Sequence, residues 1–143
     1  MIASAYQSEF NGYVEGVLSG DIVAGKLVTL ACERHKRDME RAESKEFPYY
    51  FDWAVAEGAI EFFPSMLKHS TGELLGQPFH LEPWQMFGVG SIYGWKRVED
   101  GGRRFKRVLW MMGRKNGKTT LGAGICLLTT GFDPNPLCPQ RLP

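Results

Sequence analysis

The sequence predicts an α/β fold in which a helical N-terminal lobe is followed by the first strand, a glycine-containing loop and the first helix of a truncated second domain. Three segments in the first half of the chain repeat apolar residues every three or four positions, the spacing of one helix face. Later, residues 108–112 form an uninterrupted apolar run, which is typical of a strand buried on both faces of a parallel sheet. The loop and a helical pattern follow at once, so strand, loop and helix are predicted as one unit.

The three N-terminal helices have recognisable boundaries. The first is predicted to end at Ser19-Gly20, and Asp21 is expected to cap a second helix over residues 22–41. The third is predicted over residues 50–63, where Pro64 ends it. The residues expected to face the core are Tyr6, Phe10, Tyr13, Val14, Val17 and Leu18 in the first helix, Val23, Leu27, Leu30 and Ala31 in the second, and Trp53, Ala56, Ile60 and Phe63 in the third.

Three regions are predicted along the chain. They are a helical lobe over residues 1–80, the start of the second domain over residues 81–131, and an irregular, proline-rich tail over residues 132–143. In the second region a short helix is expected to begin at Pro83, and the strand is expected over residues 106–112. This strand should have few or no partners within the chain beyond a short arm near residues 95–98.

The net charge of +1 conceals an uneven distribution. Between Lys96 and Lys118 there are nine basic and two acidic residues, whereas residues 1–95 contain seven basic and thirteen acidic ones. A basic segment of this kind suits phosphate groups, either of a nucleotide or of a nucleic acid. The alternative is that the basic residues of 103–107 only solvate a turn and the end of a strand. Charged residues of the second helix, Asp38 among them, are expected to face solvent.

Composition excludes several classes of protein. The three cysteines fit neither a disulfide framework nor a zinc module, so they are expected to be reduced thiols. Cys32 and His35 lie three residues apart on a predicted helix, but nothing nearby supplies the further ligands of a metal site. The apolar runs are far shorter than the roughly 20 residues of a membrane span, and no basic-then-apolar leader opens the chain. We therefore expect a soluble, intracellular protein.

The loop after the predicted strand contains the residue types that phosphate binding requires. It reads Gly113-Arg114-Lys115-Asn116-Gly117-Lys118-Thr119 and leads into a helix, which is the context of a P-loop. Glycines let backbone N–H groups surround phosphate oxygens, and the helix points its positive end at them. Lys118 would reach the β- and γ-phosphates, and the Thr119 hydroxyl would bind Mg²⁺. Met112 stands where the usual pattern has its first glycine, and the alternative is a basic loop that binds no nucleotide.

An ordered run of motifs resembles the large subunits of viral terminases, over approximately residues 10–131. The loop 114–119 is similar to the modified P-loop of that family, in which arginine and a second basic or polar residue precede Asn-Gly-Lys-Ser/Thr. Other stretches before the loop also resemble the family: Gly72-Glu73-Leu74, Gly76-Gln77-Pro78-Phe79, Leu81-Glu82-Pro83-Trp84-Gln85 and Gly94-Trp95-Lys96-Arg97. Residues that resemble the family's N-terminal helix are Gly25, Leu27, Ala31-Cys32-Glu33-Arg34-His35 and Asp38.

The resemblance implies roles for individual residues. Gln85 resembles the glutamine that recognises adenine, because its amide offers a donor and an acceptor, and this implies ATP as the nucleotide. Arg114 resembles the loop arginine that acts as a catalytic finger on the transferred phosphoryl group. Nucleotide contacts are expected from Gln85, Gly113, Arg114, Lys115, Asn116, Gly117, Lys118, Thr119 and Thr120, and Mg²⁺ is expected on Thr119. The alternatives are Gln85 as a surface residue beside Trp84, and Arg114 as a simple phosphate or DNA contact.

The resemblance also implies a function: the ATP-binding N-terminal fragment of the motor that packages double-stranded bacteriophage DNA into procapsids. Family members are ATPases and endonucleases of the host cytoplasm, and they work with a terminase small subunit and a portal protein. Their later acidic motif and nuclease domain have no counterpart here, so we expect nucleotide binding without turnover, and an oligomeric ring only in an intact protein. The alternatives are another P-loop ATPase acting on nucleic acid, or a non-enzymatic module that binds a partner or DNA.

Overall fold

The computed structural model describes residues 4–70 and 72–132, so the predicted tail lies outside the described residues from Asp133 onward. In chain order its elements are α1 (Ala5–Ser19), α2 (Lys26–Arg41), β1 (Tyr49–Phe51), α3 (Trp53–Met66), α4 (Pro83–Gly94), β2 (Trp95–Arg97) and α5 (Lys118–Leu127), which continues into a π-helical turn (Leu128–Phe132). The described chain is α-rich, with a small sheet in which β1 and β2 pair antiparallel. None of its described helices is long and apolar enough to span a membrane.

Helix α1 forms where the sequence predicts it. Ser4 caps its start, because the Ser4 hydroxyl accepts a hydrogen bond from a backbone N–H of the first turn at 3.1 Å. At the other end Gly20 adopts a φ of 87°, and its N–H donates to the Val17 carbonyl at 3.3 Å. Phe10, Val14 and Val17 are buried, so the predicted core stripe of this helix is confirmed.

Helix α2 starts later than predicted. It begins at Lys26, after Gly25 in the capping position, and not near Ile22. The Asp21 carboxylate accepts a hydrogen bond from the Ser19 hydroxyl at 2.7 Å. Asp21 therefore belongs to the turn after α1, and its predicted role as a cap of α2 is wrong.

The buried face of α2 also differs from the prediction. Its buried residues are Cys32, His35 and Asp38. In the predicted stripe, by contrast, Val23 is 96% exposed and Leu27 is 66% exposed. The prediction failed because it ranked residues by polarity alone, whereas His35 and Asp38 are buried together with polar partners from distant parts of the chain.

Helix α3 begins and ends later than predicted, at Trp53 and Met66. Pro64 lies inside it, although an internal proline removes one helical hydrogen bond and costs about 3 kcal/mol. The adjacent Phe62 and Phe63 are 8% and 0% exposed, and burying two such side chains contributes about 3–6 kcal/mol. Burial of these rings therefore offsets the cost of continuing the helix past the proline.

Helix α4 forms as predicted, although it contains three glycines. Pro83 occupies its first position, and the Glu82 and Gln85 side chains form a capping box with the backbone. A Cβ atom on Gly88 would lie 2.3 Å from the indole ring of Trp110, a distance that no packed side chain tolerates. Gly88 therefore allows Trp110 to pack directly on the helix, which the weak helix propensity of glycine does not reveal.

The core lies where α1, α3 and α5 pack around α4. One buried cluster is formed mainly by α3, α4 and α5. A second cluster joins α1 and α2 to Phe87 of α4, with the fully buried ring of Phe10 at its centre. Helix α4 is thus held on several sides, and it carries Gln85 in its first turn. The division of the chain near residue 80 stays a prediction.

Residues 105–112, called the edge segment below, form neither a helix nor a strand. None of their backbone N–H or C=O groups hydrogen-bonds to the backbone of a described residue. The predicted strand over 106–112 is therefore not formed, because a strand requires a hydrogen-bonded neighbour and the described chain supplies none. This agrees with the expectation that the segment has few or no partners within the chain. Burial on both faces is also wrong, since Leu109 is 81% exposed and Met111 is 75% exposed.

Candidate phosphate-binding loop

The loop 113–117 joins the edge segment to α5 and contains two residues in the left-handed region. Gly117, immediately before α5, has a φ of 69° and a ψ of 14°. Lys115 has a φ of 64°, which is uncommon for a residue that carries a side chain. Backbone N–H groups near such residues converge into a concave surface that favours anions. The backbone of this loop therefore suits a phosphate group.

Helix α5 begins at Lys118 without a side-chain cap. The Leu121 N–H donates to the Gly117 carbonyl at 2.9 Å, so helical hydrogen bonding starts at this residue. The N–H groups of Lys118, Thr119 and Thr120 have no backbone or side-chain acceptor within the described chain. Unpaired N–H groups at a helix start, together with the helix dipole, attract anions.

Packing holds α5 in place behind the loop. Leu121 is 1% exposed, and a Cβ atom on Gly124 would lie 2.4 Å from the ring of Phe63, so α5 approaches α3 closely. The Tyr93 hydroxyl of α4 is 2.6 Å from the Thr129 hydroxyl in the turn after α5. The start of α5 is therefore carried by the same core that carries α4.

Gln85 lies beside the loop, although the two are distant in sequence. Its side chain is only 4% exposed, and its amide oxygen accepts a hydrogen bond from the Glu82 N–H at 2.8 Å. The Gln85 amide nitrogen is 3.9 Å from the position that a Cβ atom on Gly117 would occupy. The capping box therefore fixes the amide with its nitrogen next to the loop.

The basic side chains of this region divide into two groups. Arg114, Lys115 and Lys118 are exposed and make no ion pair with any residue in the described ranges. Arg104 instead lies 2.7 Å from the Asp38 carboxylate and is mostly buried. The prediction that residues 103–107 solvate a turn or contact phosphate is therefore wrong for Arg104, which the fold uses internally.

Residues 4–70 and 72–132 contain no group of three or more His, Cys, Asp or Glu side chains that could hold a metal ion. Within the pair Cys32 and His35, the His35 Nδ1 atom accepts a hydrogen bond from Trp95 Nε1 at 3.1 Å, and burial raises the pKa of the Cys32 thiol to about 11. Thr119 is exposed in the first turn of α5. A Mg²⁺ ion there would need nucleotide oxygens as its principal ligands, which is the usual arrangement for this ion.

A buried polar cluster that anchors the edge segment was missed from the sequence. Asp38 is 1% exposed, and its Oδ2 atom accepts a hydrogen bond from Arg104 at 2.7 Å. The Arg104 guanidinium lies 4.3 Å from the centre of the Tyr49 ring, 5.0 Å from Phe105 and 5.1 Å from Trp95. Asp38 and Arg104 are 66 residues apart, and both resemble ordinary surface residues, so no local pattern could have joined them.

His35 belongs to the same cluster and gives the fold a dependence on pH. The pKa of His35 is lowered from 6.5 to about 4, chiefly by burial; Asp38 acts in the opposite direction, and Arg34 and Arg104 add to the lowering. Folding thus favours the neutral imidazole, and below pH 6.5 the unfolded chain binds more protons than the folded chain. The contribution of His35 to stability is present above pH 6.5 and is lost as the pH falls towards 4.

We expect the free energy of unfolding to fall by roughly 1.5 kcal/mol through His35 between pH 6.5 and pH 5. Urea unfolding at both pH values measures this loss. The variant His35→Gln keeps an acceptor for the Trp95 N–H but does not titrate, so its stability should change less over the same range. Equal losses in the variant and the unmodified chain would show that His35 is not the titrating group.

A family model described as terminase large subunit, ATPase domain, matches residues 83–140. The matched stretch begins at α4 and contains Gln85, the edge segment, the loop 113–117 and α5. The resemblance of the residues before Pro83 lies outside this match and stays a prediction. Neither the curated proteins nor the solved structures gave a match. Residues 83–140 are therefore similar to the ATPase domain of the terminase large subunit.

Proposed function

We propose that this chain binds ATP with Mg²⁺ on residues 113–119, as part of a motor that packages double-stranded viral DNA into procapsids. The observation that carries the proposal is the position of Gln85 beside Gly117. Gly117 directly precedes α5, whose N-terminus has no side-chain cap. This arrangement lies within the stretch that matches a terminase ATPase domain. The family match favours a terminase over a helicase or another P-loop ATPase.

The triphosphate is proposed to lie on the start of α5. The unpaired N–H groups of Lys118, Thr119 and Thr120 would donate to phosphate oxygens, and the positive end of the helix would favour the negative charge. Lys118 would place its ammonium on the β- and γ-phosphates, and Arg114 would contact the phosphoryl group that is transferred. Both side chains are exposed and unpaired among the described residues, so they can move to the ligand.

Thr119 is proposed to hold Mg²⁺ through its hydroxyl. The residues fit the ion, because Mg²⁺ takes oxygen ligands and is commonly bound by one or two protein groups together with phosphates. When bound, the ion would neutralise charge that develops on the phosphate oxygens. Asn116 and Lys115 would complete the wall of the loop around the same phosphates.

Gln85 is proposed to select adenine. Its amide oxygen already accepts one hydrogen bond from the Glu82 N–H, but a carbonyl oxygen has two lone pairs, so it can also accept from the adenine 6-amino group. The amide nitrogen can donate to N7 of the same base. Guanine carries an oxygen in place of the 6-amino group, so it would lose one of these bonds and leave the Gln85 oxygen opposite another acceptor.

We expect calorimetric titration to show tighter binding of ATP than of GTP to the unmodified chain. The variant Gln85→Ala should lose most of that preference, roughly a tenfold change in the ratio of the two dissociation constants, because about 1.4 kcal/mol of hydrogen bonding is removed. Loss of the capping box should weaken both nucleotides alike, so the ratio is the informative quantity.

The variant Gln77→Ala is the matched control for this experiment, because Gln77 is an exposed glutamine in the loop before α4. Its ratio should equal that of the unmodified chain. An unchanged ratio in Gln85→Ala would contradict the adenine role. If ATP does not bind the unmodified chain at all, the alternative of a non-enzymatic module that binds a partner or DNA is favoured.

The DNA-packaging part of the proposal rests on the family match. It implies double-stranded DNA as the polymer that the motor moves, and the terminase small subunit and the portal protein as partners. Lys106 and Arg107 are exposed on the edge segment and suit a polyanion. DNA binding that weakens steeply with salt would be consistent with this surface.

A further inference from the structure

The sequence contains two asparagine–glycine pairs, Asn11-Gly12 and Asn116-Gly117. Such a pair is chemically labile, because the glycine nitrogen can attack the amide carbon of the asparagine side chain. Glycine has no Cβ atom to hinder this approach. All four residues are exposed, so access to water does not distinguish the two pairs. The backbone around each pair does distinguish them.

The pair Asn11-Gly12 lies within α1. In an α-helix the Gly12 N–H donates to the carbonyl one turn earlier, and the backbone dihedral angles of Asn11 are fixed. Attack requires the nitrogen and the side-chain carbon to approach within about 3–3.5 Å in the correct orientation, which a nitrogen engaged in the helix cannot do. The neighbouring Phe10 and Val14 are buried and anchor this turn. The helix therefore protects Asn11.

The pair Asn116-Gly117 lies in the loop before α5, where no helix or strand fixes it. The Gly117 N–H has no acceptor within residues 4–70 and 72–132, and the Asn116 side-chain amide makes no hydrogen bond to a described residue. Lys115 and Gly117, on either side of Asn116, both have a positive φ. Both reacting groups of this pair are therefore free to approach each other.

The charges around this pair also favour the reaction. Attack on the amide carbon creates a tetrahedral centre whose oxygen carries negative charge. Arg114, Lys115 and Lys118 surround the pair, are exposed, and make no ion pair in the described part of the chain. The positive end of α5 begins directly after Gly117. Positive charge close to a developing oxyanion lowers the barrier to its formation.

We propose that Asn116 is a site of spontaneous deamidation, and that the modified loop loses affinity for phosphate. The Gly117 nitrogen gives its proton to water or hydroxide and forms a bond to Asn116 Cγ. The bond from Cγ to the side-chain nitrogen breaks, and this nitrogen takes up a proton and leaves as ammonia. Water then opens the resulting succinimide ring at either carbonyl and gives aspartate or isoaspartate. Water is the only co-reactant, and nothing is oxidised or reduced.

Both products place a new carboxylate in the loop. The carboxylate would repel a triphosphate and compete with it for the unpaired N–H groups at the start of α5. Isoaspartate also lengthens the backbone, because the chain then continues through the side-chain carbon. The loss of phosphate affinity rests on the proposed nucleotide binding, whereas the deamidation itself does not.

The test compares the two pairs within the same chain, folded and in urea. The full chain is incubated at mildly alkaline pH and digested with pepsin in acid, and mass spectrometry quantifies deamidation in the peptides that contain Asn11 and Asn116. In the folded chain Asn116 should react at least about tenfold faster than Asn11, because only its nitrogen is free to attack. In urea the two rates should agree within about threefold, because the helix is lost. Equal rates in the folded chain, or a ratio that urea leaves unchanged, would overturn the site.

Ammonia release from variants gives a second readout. Asn116→Gln should remove most of the ammonia that the folded chain releases, because glutamine must close a larger ring and does so more slowly. The matched control Asn11→Gln makes the same change at an exposed position of α1 and should leave the release unchanged. A larger reduction in Asn11→Gln than in Asn116→Gln would contradict the assignment.

Calorimetric titration with ATP and Mg²⁺ tests the consequence for phosphate. Asn116→Asp carries the carboxylate of the aspartate product and should weaken binding by at least about tenfold. Asn11→Asp adds the same charge on α1 and should stay within about threefold of the unmodified chain, since a distant surface charge is screened. Equal affinity of Asn116→Asp and the unmodified chain would overturn this consequence. Failure of the unmodified chain to bind ATP would overturn the proposed function and the consequence together, while the deamidation site is judged by the rates alone.

Discussion

The variant Asp38→Ala is expected to lose about 3–5 kcal/mol of folding free energy, enough to unfold a large fraction of a domain of ordinary stability. The loss comes from Arg104, whose guanidinium is enclosed by aromatic rings and has one nitrogen, Nη1, buried without a hydrogen-bond partner in the described chain. Without the Asp38 carboxylate, this charge is buried and unpaired. Urea unfolding with circular dichroism measures the loss.

Two further variants separate the buried ion pair from the exposed ones around Asp38. Arg41 also lies 3.4 Å from the Asp38 carboxylate, but its side chain is 57% exposed, so Arg41→Ala should cost no more than about 1 kcal/mol. The double variant Asp38→Leu/Arg104→Met removes both buried charges and should recover most of the stability lost in Asp38→Ala. A loss in Asp38→Ala no larger than in Arg41→Ala would contradict a buried pair.

The cluster matters for the site because it fixes the start of the edge segment. Arg104 directly precedes this segment, and its N–H donates to the Trp95 carbonyl at 2.9 Å while its side chain is bound to α2. Trp110 on Gly88 and the packing of α5 on α3 hold the other end. The position of the loop therefore depends on contacts with the helical lobe as well as on its own residues.

The variant Lys118→Ala is expected to weaken ATP binding by about 10- to 100-fold, because a hydrogen bond to a charged group contributes about 1.5–3 kcal/mol. Lys118 is exposed at the first position of α5, so the fold should be unaffected and the free energy of unfolding should change by less than about 0.5 kcal/mol. Calorimetric titration with ATP and Mg²⁺ measures the affinity.

Lys106→Ala is the matched control for Lys118, since both lysines are exposed in the same basic segment. Its affinity for ATP should stay within about threefold of the unmodified chain, as expected for a screened surface charge. Equal losses in the two variants would indicate general electrostatic attraction of nucleotide to the basic segment. Unchanged binding in Lys118→Ala would remove this residue from the phosphate site.

Local patterns predicted much of the helical structure. The glycine at the end of α1 and the proline at the start of α4 act through adjacent backbone groups, so the sequence displays them directly. The buried face of α2 could not be predicted in this way, because Asp38 is buried only by virtue of Arg104, a residue far along the chain. Pattern analysis assigns an isolated charged residue to the surface.

The edge segment shows a different limit of sequence analysis. An apolar run indicates that residues 108–112 suit a strand, but a strand exists only if a second segment supplies hydrogen bonds. At the candidate site, the order of glycine, basic and threonine residues in the loop was enough to predict phosphate binding there. The closeness of Gln85 to Gly117, by contrast, was expected only through the family resemblance. The roles of these residues towards nucleotide stay predictions.

Hydrogen–deuterium exchange of the backbone amides, with and without ATP and Mg²⁺, tests the central claim most directly. The N–H groups of Lys118, Thr119 and Thr120 are unpaired within the described chain and should exchange rapidly in the free protein. If they donate to phosphate oxygens, saturating ATP should slow their exchange by about tenfold or more, since each then has an acceptor. The amides at the start of α3 serve as an internal reference and should not change. Protection elsewhere, with amides 118–120 unaffected at saturating ATP, would contradict nucleotide binding on this loop.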